Sequence, residues 1–304
     1  MHLSTRSPAV THTPPPFPTD PGKVELHARA VDFDLSETPL HWIPGHPVAS
    51  NVISALNLLL PEGERFFVQT FSEALPLVTD EELAADMRGF IGQEAVHAQT
   101  HDKAVDEWLV RHGVDPAPYR RQMEWIFRKV LGPRPNATPE ERRKHLVERL
   151  WMIAAAEHFT ALLGDYALNN RWSAEGADPN MADLFAWHGA EEVEHRTVAY
   201  DVATYFADTR SHRRRSMVIA IPLGILLARG VRFLNRADPD MSLSAVGRFR
   251  EYFRGTRADV VPPLRILPKA VAAYFRSDYS PADVGDTAQA VAYLAASPAA
   301  RRAV

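Results

Sequence analysis

The sequence predicts an all-α protein, and three observations predict it. Its apolar runs are long and helix-periodic. No two alternating apolar segments are joined by an Asn-Gly or Asp-Gly turn, the mark of a short hairpin. Four segments extend for about 20 to 30 residues, which at about 1.5 Å per residue gives helices of about 30 to 40 Å, long enough for a bundle.

The elements follow in order from their start and stop signals. A first helix is expected over Val48–Leu60, and Pro61 then opens a second through PEGERFFVQTFSEAL, because proline suits a first helical turn. Thr79 or Asp80 caps the next, with the acidic residues of TDEEL in its first turn; it should run to Arg111 and stop at Gly113. A shorter helix is expected from Pro118 to Val130. The loop LGPRPNATPEE ends in the cap Thr138 and Pro139 and starts a helix over Glu140–Leu168. RWSAEGADPN separates that from a helix over Met181–Ala207.

Residues 1–38 read as a disordered or extended tail, since their first part contains the proline-rich HTPPPFPTDP and lacks the apolar core of a secretory signal. Residues 39–235 form the expected bundle, and 236–304 a C-terminal helical extension packed on it, with its last residues disordered. A cytoplasmic protein is the default. The uncharged run Ser216–Ala228 is only 13 residues, short of the roughly 18 to 20 that span a bilayer. It reads as a helix buried in the domain and bent by Pro222. The other reading is a peripheral membrane contact over 213–234, with Arg213, Arg214 and Arg215 at the headgroups.

Composition excludes several functions. The 304 residues are 46% hydrophobic, ample for a core, and the net charge of −4 makes no case for a nucleic-acid partner. With no cysteine, any metal must be held by Glu, Asp and His, which favours hard or borderline ions.

Against that background FIGQEAVHAQTH stands out, because Glu94, His97 and His101 fall on one side of a helix among apolar neighbours. A Glu-x-x-His pair is expected about once by chance in a chain with 19 Glu and 13 His. There are two, the second being Glu192 and His195. Glu157 lies in the most apolar part of its helix, and Glu64 just ahead of two phenylalanines. In chain order the helices therefore carry Glu64, then Glu94 with His97, then Glu157, then Glu192 with His195. That is the ligand inventory of a ferritin-like four-helix bundle with a carboxylate-bridged dimetal site. Four ionised carboxylates converging in an apolar bundle would cost several kcal/mol each if uncompensated, whereas two divalent ions bring the total to zero.

His188 shares a roughly 60° sector with Glu192 and His195 and is a candidate seventh ligand. His101 is a further ligand, a proton carrier beside the ligands, or a capped polar residue near the bundle end. Asp165 and Asp201 are candidates to accept the free N–H of a ligating imidazole. Glu191 and Glu194, rotated by about 100° or more from the motif, should be solvated, and His158 should lie at a helix interface or in solvent. Phe66, Phe67, Phe90, Trp151, Phe159 and Trp187 are candidates to line a cavity.

The runs PEGERFF, QEAVHAQTH, AAEHFTALLGDY and WHGAEEVEHRTVAYDV resemble the bacterial family labelled predicted metal-dependent hydrolases, over about residues 40–255. The set Glu64, Glu94, His97, Glu157, His188, Glu192 and His195 is also similar to the ligands of the di-iron arylamine N-oxygenases typified by p-aminobenzoate N-oxygenase. That second resemblance implies seven ligands, two irons and dioxygen activation. The additional His101 and different aromatic flanks leave the arylamine substrate behind. The expectation is a non-haem di-iron oxidoreductase acting on a small organic or lipid-like substrate with dioxygen and an external electron donor, with a homodimer as a candidate assembly. Iron is the first choice of metal and manganese or zinc the alternatives. The competing expectation is a hydrolase in which two ions activate water.

Overall fold

The computed structural model describes residues 23–207 and 210–303, and among these the fold is all helical, with no strand. The helices are α1 (Pro47–Ala74), α2 (Glu81–Ala104), α3 (Ala117–Glu124), α4 (Pro139–Asn169), α5 (Pro179–His195), α6 (Val198–Ala207), α7 (Arg210–Ala237), α8 (Ala245–Arg257), α9 (Ile266–Tyr274), α10 (Thr287–Ala296) and α11 (Pro298–Arg302). The expected caps are in place. Asp80 accepts from the Glu82 and Leu83 amides at the start of α2, and Thr138 and Glu141 form a reciprocal capping box on α4. A further cap not read from the sequence, Asp178, accepts from the Met181 amide on α5. Gly113 takes a φ of +79° where the second long segment stops, a conformation that costs glycine little.

Two expected boundaries are corrected. Pro61 does not open a helix; it lies inside the continuous α1, removing one helical N–H and crowding the turn just before Glu64. The segment Met181–Ala207 is broken at Arg196 and Thr197. There the buried Arg196 side chain turns back to the Val193 carbonyl at 2.5 Å and reaches Thr287 Oγ1 at 2.7 Å.

α1 pairs with α2 and α4 with α5, and the pairs meet through α1 against α4 and α2 against α5. At the α4–α5 crossing Gly164 and Gly189 lie back to back. A Cβ on Gly189 would come within 2.8 Å of Gly164 Cα, and one on Gly164 within 2.5 Å of the Gly189 carbonyl oxygen. The absence of both side chains lets the two backbones touch one turn from Glu192.

The N-terminal strap takes the extended of its two expected forms, and the C-terminal end differs from expectation. Residues 1–22 lie outside the described residues, but 23–38 are an extended strap packed on the helices, with Leu26, Phe33 and Leu35 buried. At the other end α10 and α11 pack on α5, and Ala299 and Ala300 are buried where a disordered terminus was expected. α7 packs on α1 and α4 and buries Met217, Ala220 and Leu234. It is not enclosed, however. Only 24% of its most apolar stretch is buried, and by length and composition alone it is long and apolar enough to cross a membrane.

Candidate metal centre

The four paired helices bring eight of the expected residues together. Glu64 comes from α1, Glu94, His97 and His101 from α2, Glu157 from α4, and His188, Glu192 and His195 from α5, all of them buried. Glu62 faces the other way, where Arg128 at 2.6 and 2.7 Å and Arg65 at 2.9 Å hold its carboxylate.

His195 Nε2 stands 3.2 Å from Glu157 Oε2, 3.3 Å from Glu94 Oε1 and 3.4 Å from Glu192 Oε2. His97 Nδ1 lies 3.6 Å from Glu192 Oε1 and 3.9 Å from Glu94 Oε1. Glu64 Oε1 is 3.9 Å from His188 Nδ1 and 4.0 Å from His101 Nε2. Overlapping sets of three or four ligand atoms, each within 4.8 Å of one another, are formed by Glu94, Glu157, Glu192 and His195; by His97, His188 and Glu192; by Glu64, Glu94 and His97; and by Glu64, His101 and His188. This spacing suits cations between the side chains.

The donor set also passes a chemical test. Both oxygens of Glu64, both of Glu94, Glu157 Oε2 and His97 Nδ1 are buried with no hydrogen-bond partner. Buried polar atoms are nearly always partnered, so each such atom requires an explanation, and bound cations would satisfy all six.

The imidazoles are held from behind. His97 Nε2 meets Glu191 Oε2 at 2.9 Å, His195 Nδ1 meets Gln93 Oε1 at 3.0 Å and His101 Nδ1 meets Asn57 Oδ1 at 2.6 Å. Each contact turns the opposite nitrogen inward, as outer partners of metal-binding histidines do. His188 is placed differently, with Nε2 on Glu192 Oε1 at 2.7 Å and Nδ1 2.5 Å from His101 Nε2.

Glu191 and Glu194 are therefore a correction, being buried rather than solvated. Arg29 of the N-terminal strap donates to Glu191 Oε1 at 2.7 Å and to Glu194 at 2.8 and 3.0 Å, while Gln93 Nε2 also reaches Glu194 at 3.1 Å. Asp165 and Asp201 do not hold an imidazole. Asp165 accepts from Asn169 at 3.0 Å, and Asp201 is exposed on α6. His158 lies at a helix interface, on the Ala270 carbonyl at 3.0 Å and Tyr279 at 3.1 Å. Arg29, Gln93 and Asn57 had escaped the reading of the sequence. Gln93 and Asn57 carry a faint signal, as amides in otherwise apolar helical stretches; Arg29 carries none.

Burial, then the Glu192 charge, pushes the Glu64 and Glu94 carboxyls well above the usual carboxylate range, and pushes Glu157 up to about 7. Burial also acts against Glu192, but His195 and His188 outweigh it and hold that carboxyl low. The same pairing raises His195 against its burial, while burial and the neighbouring His188 keep His97 and His101 neutral. Without cations the cluster keeps protons on carboxylates that it cannot otherwise neutralise.

A cavity of about 610 Å³ reaches the cluster at Glu64, His188 and Glu192. Phe67 and Phe159 line it, with Phe127, Trp172 and Phe185; Phe66, Phe90, Trp151 and Trp187 belong to the core instead.

Fold and cluster together define an all-α protein with a candidate metal centre buried among α1, α2, α4 and α5. The chain belongs to the family of predicted metal-dependent hydrolases, whose model matches residues 27–285, a span that takes in Arg29 and every residue of the cluster. No curated protein and no solved structure gives a match.

Proposed function

We propose that Glu64, Glu94, His97, Glu157, His188, Glu192 and His195 hold two metal ions in a ferritin-like arrangement, iron first and manganese or zinc as alternatives. In this reading the protein is a non-haem di-iron oxidoreductase that uses dioxygen and an external electron donor to oxidise a small organic or lipid-like substrate. The observation that carries it is the set of six orphaned ligand atoms turned into one buried cluster. A bound iron pair would supply the electrons and Lewis acidity for dioxygen reduction.

The chain's own residues do the rest. Glu191, Gln93 and Asn57 fix the tautomers of His97, His195 and His101, and Arg29 anchors Glu191. The apolar wall of Phe67, Phe127, Phe159 and Leu163 keeps water from the side of the cluster on which substrate would lie. Asn57 holds Nδ1 of His101, and the Nε2 of His101 faces His188 and Glu64, which suits His101 to be a further ligand or to exchange a proton with His188.

The family description favours hydrolysis as the second reading. Weighing against a phosphoester substrate, no Arg or Lys among the described residues lines the cavity to clamp a phosphate. The test is anaerobic loading with ferrous iron followed by oxygen. Oxygen uptake with a transient visible absorption supports the oxidoreductase; ester turnover by the zinc-loaded protein, without any oxygen response, puts the hydrolase in its place.

A further inference from the structure

We propose that the mouth of this cavity is a membrane-docking face, which α7 and α9 press against an anionic phospholipid leaflet so that the cavity opens onto the acyl layer. Ile221 and Leu267 both line the cavity and are 48% and 42% exposed, so the opening lies between α7 and α9. Around it Val218 at 61%, Ile225 at 59% and Leu264 at 59% exposure make the surface apolar. Positions 218, 221 and 225 share one side of α7. Large apolar side chains grouped on one face mark an interaction site, unlike scattered ones.

Charge selects the occupant. Residues 210–237 contain seven Arg, and residues 260–276 contain two Arg and one Lys, with no Asp or Glu in either segment, in a chain of net charge −4. Arg214, Arg215, Arg229, Arg232, Arg265 and Lys269 are exposed. An apolar face rimmed by cations suits an anionic lipid surface. A second copy of the chain meeting this face about a two-fold axis would set like charges against each other.

Although α7 as a whole is long and apolar enough to cross a membrane by length and composition alone, its uncharged stretch is short and the helix lies on the surface instead. Arg215 and Arg229 bracket 13 uncharged residues, about 20 Å of helix against a hydrocarbon core of about 30 Å. The other side of α7 is committed to α1 and α4. At about 30 Å³ for each water-sized group, the 610 Å³ cavity takes about 20 heavy atoms, the scale of a single-chain lipid entering sideways from the leaflet.

The docking needs no metal, so vesicle binding tests it separately from the proposed chemistry, and a metal count on the same sample tells the two failures apart. The full chain is sedimented with phosphatidylcholine vesicles with and without phosphatidylglycerol. Binding should require phosphatidylglycerol, weaken with salt, and fall by at least about tenfold on replacing Val218→Glu and Ile225→Glu together. As a measurement free of any folding defect, Ile225→Cys can be labelled with an environment-sensitive dye, because the chain has no other cysteine. Its emission should shift to the blue on anionic vesicles, while a label at Glu107→Cys, in the helical segment that continues α2, should not respond. Equal binding to both vesicle types, no binding, an unmoved label at position 225, or a dimer that dissociates in the double glutamate variant overturns the proposal.

Discussion

Removing the guanidinium of Arg29 tests whether the N-terminal strap is part of the candidate centre. The Arg29 side chain is 20% exposed, whereas those of Glu191 and Glu194 are 0% and 2%. Among the described residues, Arg29→Ala leaves Glu191 hydrogen-bonded to His97 and Trp187, and Glu194 to Gln93. Breaking a fully buried pair by deleting one partner costs about 3–5 kcal/mol. Glu191, whose carboxyl burial already pushes up to about 6, can take up a proton and relieve part of that. The expected loss is therefore about 2–3 kcal/mol in urea unfolding of the metal-free protein. Metal affinity should fall by about 10- to 100-fold, because the group that orients His97 loses its anchor. Arg29→Lys, which keeps the charge but not the forked donors, should fall between. A metal-free Arg29→Ala protein within about 0.5 kcal/mol of the parent, with unchanged metal affinity, would refute the reasoning.

Three further outcomes are expected. A carboxyl protonated in the metal-free protein must release its proton when a cation binds, so affinity rises with pH. Competition titrations should show it dropping by about tenfold per pH unit below about 7, where Glu157 takes up a proton, with burial raising Glu64 and Glu94 in the same direction; a flat profile contradicts this. Gly189→Ala gains about 1 kcal/mol of helix propensity but drives a Cβ to 2.8 Å from Gly164 Cα. The net change should be a destabilisation of about 1–2 kcal/mol with weaker metal binding, and a more stable variant with full metal content contradicts it. Chelation should lower the unfolding free energy by about 4 kcal/mol relative to protein held at about a thousand times the metal dissociation constant; superimposable melting curves with and without chelator would argue against a structural metal load.

The helix class and the inward-facing residues were legible because helical geometry converts spacing into direction. Glu94 with His97 and Glu192 with His195 share a face whatever packs around them. Glu191 and Glu194 misled for the same reason: their rotation away from Glu192 is real, but that direction is covered by residues 23–38. A short polar strap announces no packing through periodicity, so Arg29 had no visible partner. Asp165 and Asp201 looked suitable by helix membership alone, yet Glu191, Gln93 and Asn57 reach the imidazoles first. Pro61 misled because proline usually marks a first turn; in α1, packing along most of its length sustains the helix across it. The exposure of α7 was hidden in composition, since an apolar run reads alike whether protein or lipid covers it.

The most direct test of the centre is a metal count by plasma mass spectrometry on protein loaded with ferrous iron under anaerobic conditions and freed of loose ions. Two ions per chain are expected, and one or none in a folded variant carrying Glu94→Ala and Glu192→Ala. A folded parent protein that retains no ion would contradict that expectation.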